Sequence, residues 1–157
     1  PETLVVSLMT GSGQVKLSFF GGLRIGRVSE PLLTMDGNLL VAAPEDLLAT
    51  KLKAILDRAE LRDYRDIAAL LSAGMSLPHA LAAFKAMFGG EPAQVLRAIG
   101  YFGDGNLSTL SDADRRRLTA ARDSVRGLPE VPLASTSLEI PVGPCSEIVS
   151  FHRHVGP

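Results

Sequence analysis

A single cysteine, Cys145, and no tryptophan occur in this 157-residue chain, and aromatic residues make up only 5% of it. One thiol permits no internal disulfide, which excludes the stapled secreted scaffolds and points to a reducing compartment. Long apolar runs are also missing. The longest extend over a few residues, far short of the ~20 that a membrane-crossing helix needs, and no signal-peptide pattern is visible. Charge of one sign is lacking too. Sixteen Lys and Arg against 17 Asp and Glu leave a formal charge of −1, so no global field draws the chain to nucleic acid or anionic lipid, and any such contact must be local. No internal repeat stands out. The chain is long enough to bury roughly two thirds of its unfolded surface, and the expected setting is the cytoplasm of a bacterial-type cell.

Two β-rich runs, 3 to 9 and 14 to 20, flank Thr10-Gly11-Ser12-Gly13, a hairpin signal. A further short buried strand is expected over Leu39 to Ala42, after an Asp36-Gly37-Asn38 turn. Helical periodicity begins at Pro44, where proline suits the first helical position and Glu45 and Asp46 suit the positive end of the dipole. That helix runs to about Arg58. A second is expected from about Arg62 to Ala73, closed by Gly74, and a third from the Ser76 cap to about Phe88. A fourth spans about Pro92 to Tyr101. The fifth opens on the Ser111-Asp112-Ala113-Asp114 capping pattern and ends near Gly127. The expected class is α+β: a small antiparallel sheet over 1–43, a helical bundle over 44–128, and a Pro-rich tail over 129–157 with a short strand near Leu138 to Ile140.

The segment from Pro44 to Gly74 carries charge where a helix should be apolar. At about 100° per residue, Asp63 shares a stripe with Ile67, Leu70 and Leu71, so a carboxylate is aimed at or near the core. Lys51 and Arg58, seven residues apart, lie on nearly one line beside Leu48, Leu52 and Ile55. An ion taken from water without a partner costs several kcal/mol or loses its charge, so Asp63 calls for a cation: Lys51, Arg58 or Arg62. A salt bridge pinning two helices satisfies this demand. So does a functional cluster, since Asp63 and Asp66 at i, i+3 can face one cleft with Arg62 beside them, a set suited to phosphate and metal-linked chemistry.

Other motifs carry less. Gly11-Ser12-Gly13 lacks the Lys-Ser/Thr ending and the helix of a phosphate loop. Gly21-Gly22-Leu23-Arg24 reads as a bulge ending a strand as readily as a phosphate contact. Arg115-Arg116-Arg117 points three ways on a helix and is read as solvated, and His79 as a surface residue. Cys145, His152 and His154 offer no settled metal-ligand spacing.

The ordered set Lys51-x2-Ala54-x3-Arg58-x3-Arg62-Asp63-x2-Asp66 resembles the nucleotidyltransferases of the AbiEii/AbiGii toxin family. The local match covers 44–74, and a looser one runs from Val15-Lys16-Leu17-Ser18-Phe19-Phe20-Gly21-Gly22 to Tyr101-Phe102-Gly103-Asp104-Gly105. The resemblance implies a partial fold of the DNA polymerase β type, a bacterial toxin-like enzyme, Mg²⁺ and a nucleoside triphosphate as cosubstrate. It also implies an antitoxin protein as partner and, as in some relatives, tRNA as acceptor. It gives Lys51 the triphosphate, with Arg58 and Arg62 beside it, and lets Asp63 or Asp66 orient that lysine or accept a proton.

The same superfamily holds its metal with an early Gly-Ser/Thr motif and an Asp-x-Asp pair on a strand, and nothing before Val15 supplies these; Ser18 stands where a third carboxylate could come. The expectation is therefore a piece of a longer polypeptide that is inactive alone. The competing expectation is a non-catalytic interaction module whose ion pairs are structural and which binds an antitoxin-like partner.

Overall fold

The computed structural model describes residues 3–21 and 25–134. Strands β1 (Thr3–Thr10) and β2 (Gly13–Phe20) form an antiparallel hairpin that pairs Leu4 with Phe19, Val6 with Leu17 and Leu8 with Val15. Because side chains alternate along a strand, these six share one face and give it a continuous apolar surface. That face is exposed, with Phe19 at 55%.

The second β-unit pairs β3 (Leu32–Leu33) with β4 (Leu40–Val41) around Gly37, whose φ of 71° suits only a residue without a side chain. The opening third is thus two separate two-stranded sheets. The strand expected to be buried near Leu39 is instead largely exposed, because β3 is its sole sheet neighbour and no described layer covers it.

Five helices follow: α1 (Pro44–Asp57), α2 (Leu61–Ser72), α3 (Leu77–Phe88), α4 (Pro92–Ala98) and α5 (Asp112–Ser124), with a 3-10 turn at Gly105–Thr109. Their apolar stripes converge on one core. Leu48, Leu52 and Ile55 come from α1, Ile67 from α2, Leu81 and Phe84 from α3, Val95 from α4 and Leu118 from α5. The ends follow local chemistry. Ser76 accepts the His79 N–H at the start of α3, Ser111 accepts that of Asp114 at the start of α5, and Gly89 closes α3 in the left-handed conformation at φ 64°. Next to it, a side chain at Gly90 would run into the Phe84 ring.

The helix expected to reach Tyr101 stops three residues earlier, at Ala98, and Ile99 and Gly100 turn the chain before Tyr101. Arg115 is not solvated as expected. It lies over the Phe102 ring at 5.6 Å and donates to the carbonyls of Leu107, Ser108 and Leu110, closing the 3-10 turn.

Asp46, buried in the first turn of α1, accepts the N–H groups of Val28 (2.8 Å) and Ser29 (3.3 Å) and so ties the segment before β3 to the bundle. The segment after α5 returns to the same place, where the Ala134 N–H donates to the Arg27 carbonyl. The expectations for Leu138 to Ile140, Cys145, His152 and His154, and for Gly22 to Arg24, lie outside the described residues. Among the described residues no helix is long and apolar enough to cross a membrane.

Candidate functional site

The site forms where α1 ends and α2 begins. Arg58 leaves the helical path in an extended conformation at φ −157°, and the chain restarts as a helix after Glu60 at φ −99°. This break folds α2 back along α1. It brings Asp63, in the first turn of α2, level with Lys51, nearly two turns inside α1. Leu52, Ile55, Tyr64 and Ile67 pack beneath the joint, and Tyr64 donates its hydroxyl to the Ala98 carbonyl at 3.0 Å, holding α2 to the end of α4.

Asp63 is wholly buried, and both its oxygens are engaged by cations. Lys51 Nζ donates to Oδ1 at 3.1 Å and Arg58 Nε to Oδ2 at 3.0 Å. Burial pushes the Asp63 carboxyl up, but the hydrogen bonds and charges of Lys51 and Arg58 outweigh it and hold it below the usual carboxylate range. Lys51 shows the converse. Desolvation pulls its ammonium down, while Asp66 and Asp63 more than restore it and leave it above the ordinary lysine value. Asp66 Oδ2 lies 2.5 Å from Lys51 Nζ, with the Asp66 side chain half exposed.

Four of the five residues that the sequence singles out thus meet in one chain of contacts: Arg58, Asp63, Lys51 and Asp66. Arg62 does not join Asp63. Being one residue before it on the helix, it points about 100° away, and its Nε instead meets Glu60 Oε2 at 2.7 Å. Glu60 also approaches Arg58 Nε, at 3.6 Å from Oε1. Sequence reasoning missed Glu60, although Arg58-x-Glu60-x-Arg62 at a helix break is a legible signal for a carboxylate between two guanidiniums.

The charges of this set balance, with three cations facing three carboxylates. Its exposure is graded, from Asp63 wholly buried through Lys51 at 23% to the side chains of Arg58, Glu60, Asp66 and Arg62, which are about half exposed or more. What it can do chemically is present cationic N–H groups, held by carboxylates from behind, to an anion arriving from solvent.

Both Asp63 oxygens are committed to cations, and among the described residues no group of three or more His, Cys, Asp or Glu side chains could share an ion. Asp63 therefore keeps no free oxygen for a metal ion, while Asp66 commits only Oδ2.

The family model for the nucleotidyl transferase AbiEii toxin of type IV toxin–antitoxin systems matches residues 5–134, and the chain belongs to this family of toxin-like nucleotidyltransferases. Comparison with characterised proteins and with solved structures gives no match.

Proposed function

We propose that this chain is the nucleotide-side part of a toxin-like nucleotidyltransferase, with Lys51, Arg58 and Arg62 receiving the triphosphate of a nucleoside triphosphate. Transfer of a nucleotidyl group is chiefly positioning plus neutralisation of developing negative charge. The observation that carries this reading is Lys51 held between Asp63 and Asp66, with Arg58 on the other oxygen of Asp63. A lysine used only to neutralise Asp63 would need no second carboxylate.

The two aspartates divide the work. Asp63, buried and with both oxygens taken, orients Lys51 and Arg58 and stays ionised. Asp66 is half exposed and commits only Oδ2, so it is the carboxylate able to take a proton from an acceptor hydroxyl. The acceptor in this reading is the end of a tRNA. In this reading the chain alone binds triphosphate without transferring nucleotide.

The test incubates the protein with Mg²⁺, each labelled triphosphate in turn and bulk tRNA, alongside equilibrium binding of the same nucleotides. The reading expects a Kd below about 1 mM, near −4 kcal/mol, without labelled tRNA. Rapid labelling would overturn the inactivity of the chain alone, and absence of binding would overturn the nucleotide role.

A second reading rests on a different observation. The apolar face of the first hairpin, from Leu4 to Phe19, is exposed, and a two-stranded sheet is at best marginally stable in water by itself. This favours an interaction module on which an antitoxin-like protein docks, the ion pairs being structural. Retained affinity for an antitoxin with no nucleotide binding would select it.

A further inference from the structure

Glu60 stands outside the charges that mark the site, yet it links two of them. It is the N-cap residue of α2, between Arg58 at the end of α1 and Arg62 in the first turn of α2. Its carboxylate does not perform the usual task of that position, because it accepts no cap hydrogen bond from the α2 backbone. The first free N–H of the helix, that of Leu61, donates to Asn106 Oδ1 at 3.0 Å instead. The Glu60 carboxylate is thereby left for the arginines: Oε2 lies 2.7 Å from Arg62 Nε and Oε1 3.6 Å from Arg58 Nε.

The ion-pair distances of the two guanidiniums to carboxylates run to Nε. Asp63 and Glu60 approach Arg58 there, and Glu60 approaches Arg62 there. No hydrogen bond among the described residues engages an Nη nitrogen of either arginine, and both side chains are about half exposed or more. A guanidinium held at Nε keeps its Nη N–H groups for a second oxyanion. Two long side chains tethered beforehand also lose less rotamer freedom on binding than two free ones.

We propose that Glu60 is a positioning residue for polyphosphate. By bridging Arg58 and Arg62 at their Nε atoms, it sets their Nη groups as one receptor spanning two neighbouring phosphoryl groups. The proposal rests on the reading of this cluster as a triphosphate site and adds to it a selectivity for linked phosphates over a single one. A carboxylate beside an anion also repels it, so a bridging role and a merely competing role predict effects of opposite sign.

The experiment is calorimetric titration of the full chain with inorganic triphosphate and, separately, inorganic phosphate. It compares the wild type with Glu60→Ala, Glu60→Gln, Arg62→Ala, Glu60→Ala/Arg62→Ala and Arg58→Ala/Arg62→Ala, each checked by circular dichroism to be folded at the titration temperature. Glu60→Ala should weaken triphosphate binding about fivefold and leave phosphate within about twofold. Glu60→Gln, which keeps one acceptor oxygen, should fall between it and the wild type. Combined with Arg62→Ala, the Glu60 change should add less than about twofold.

Tighter triphosphate binding by either Glu60 variant, an equal loss for both anions, or a loss fully additive with Arg62→Ala would overturn the proposal. If Arg58→Ala/Arg62→Ala removes triphosphate binding while Glu60→Ala changes nothing, the Glu60 role alone fails. If the wild type binds no triphosphate, or binds it as well as the double arginine variant, the site reading fails and the proposal with it.

Discussion

Lys51 Nζ, on α1, lies 3.1 Å from Oδ1 of Asp63, a carboxylate on α2 without solvent exposure. The two residues join the helices at the point where the chain reverses. Coulomb attraction in this partly desolvated joint offsets the cost of taking the aspartate out of water only because Arg58 satisfies its second oxygen.

That balance sets the expected cost of breaking it. Asp63→Ala should destabilise the chain by about 3 kcal/mol, at the low end for a broken buried pair, because Lys51 keeps Asp66 and Arg58 keeps Glu60 as partners. In a cycle with Lys51→Met, urea unfolding should show a coupling of about 1–2 kcal/mol. Additive losses would mean that the contact contributes nothing of its own.

The pH dependence has a definite sign at each end. The Asp63 carboxyl is held below its ordinary value, so its stabilisation is complete above the unfolded carboxylate pKa of about 3.9 and is lost as pH falls through the lower, folded value. The Lys51 ammonium is raised, so its contribution is complete below the unfolded lysine value of about 10.4 and is lost as pH rises through the higher, folded one. The difference in urea midpoint between wild type and Asp63→Ala should be flat between these limits and shrink beyond either.

Asp46 should matter as much as the residues of the site without taking part in it. Removing its carboxylate leaves the N–H groups of Val28 and Ser29 without their acceptor, so Asp46→Ala should cost about 1–3 kcal/mol. Hydrogen exchange at those two amides should quicken, while binding of triphosphate to folded protein stays as it was.

The hairpin and the core should respond to the same truncation with losses of very different size. Phe84 is 1% exposed in the bundle and Phe19 is 55% exposed on β2. Phe84→Ala should cost about 3–5 kcal/mol, and Phe19→Ala within about 0.5 kcal/mol. Leu8→Lys should likewise leave the unfolding midpoint near that of the wild type and reduce concentration-dependent association in light scattering, since it breaks an exposed apolar strand face.

Much of this was legible because periodicity and end signals agree. A carboxylate on an apolar helical stripe demanded a cation, and two of the three candidates, Lys51 and Arg58, supply it. The first hairpin followed from its Gly-Ser turn, and Ser76, Ser111 and Gly89 marked helix ends as their chemistry requires.

The rest depended on contacts distant in sequence. Leu32 and Leu33 form a strand only through pairing with Leu40 and Val41, and two residues carry no alternation to detect. Asp46 satisfied the dipole argument so well that its hydrogen bonds to Val28 and Ser29 had no separate signal. The partner of Arg62 was set by the helix break at Glu60, whose backbone angles no periodicity reports. Arg115 was drawn from solvent by the Phe102 ring and the carbonyls of the 3-10 turn.

The central claim is that the hinge between α1 and α2 receives the phosphates of a nucleotide. It is tested most directly by nitrogen-15 NMR of the arginine Nε–H groups as a nucleoside triphosphate is added. The account predicts that the signals of Arg58 and Arg62 move in a saturable way while those of Arg65 and Arg116 stay in place. Signals that remain fixed at Arg58 and Arg62, or that drift equally at all four arginines, would contradict it.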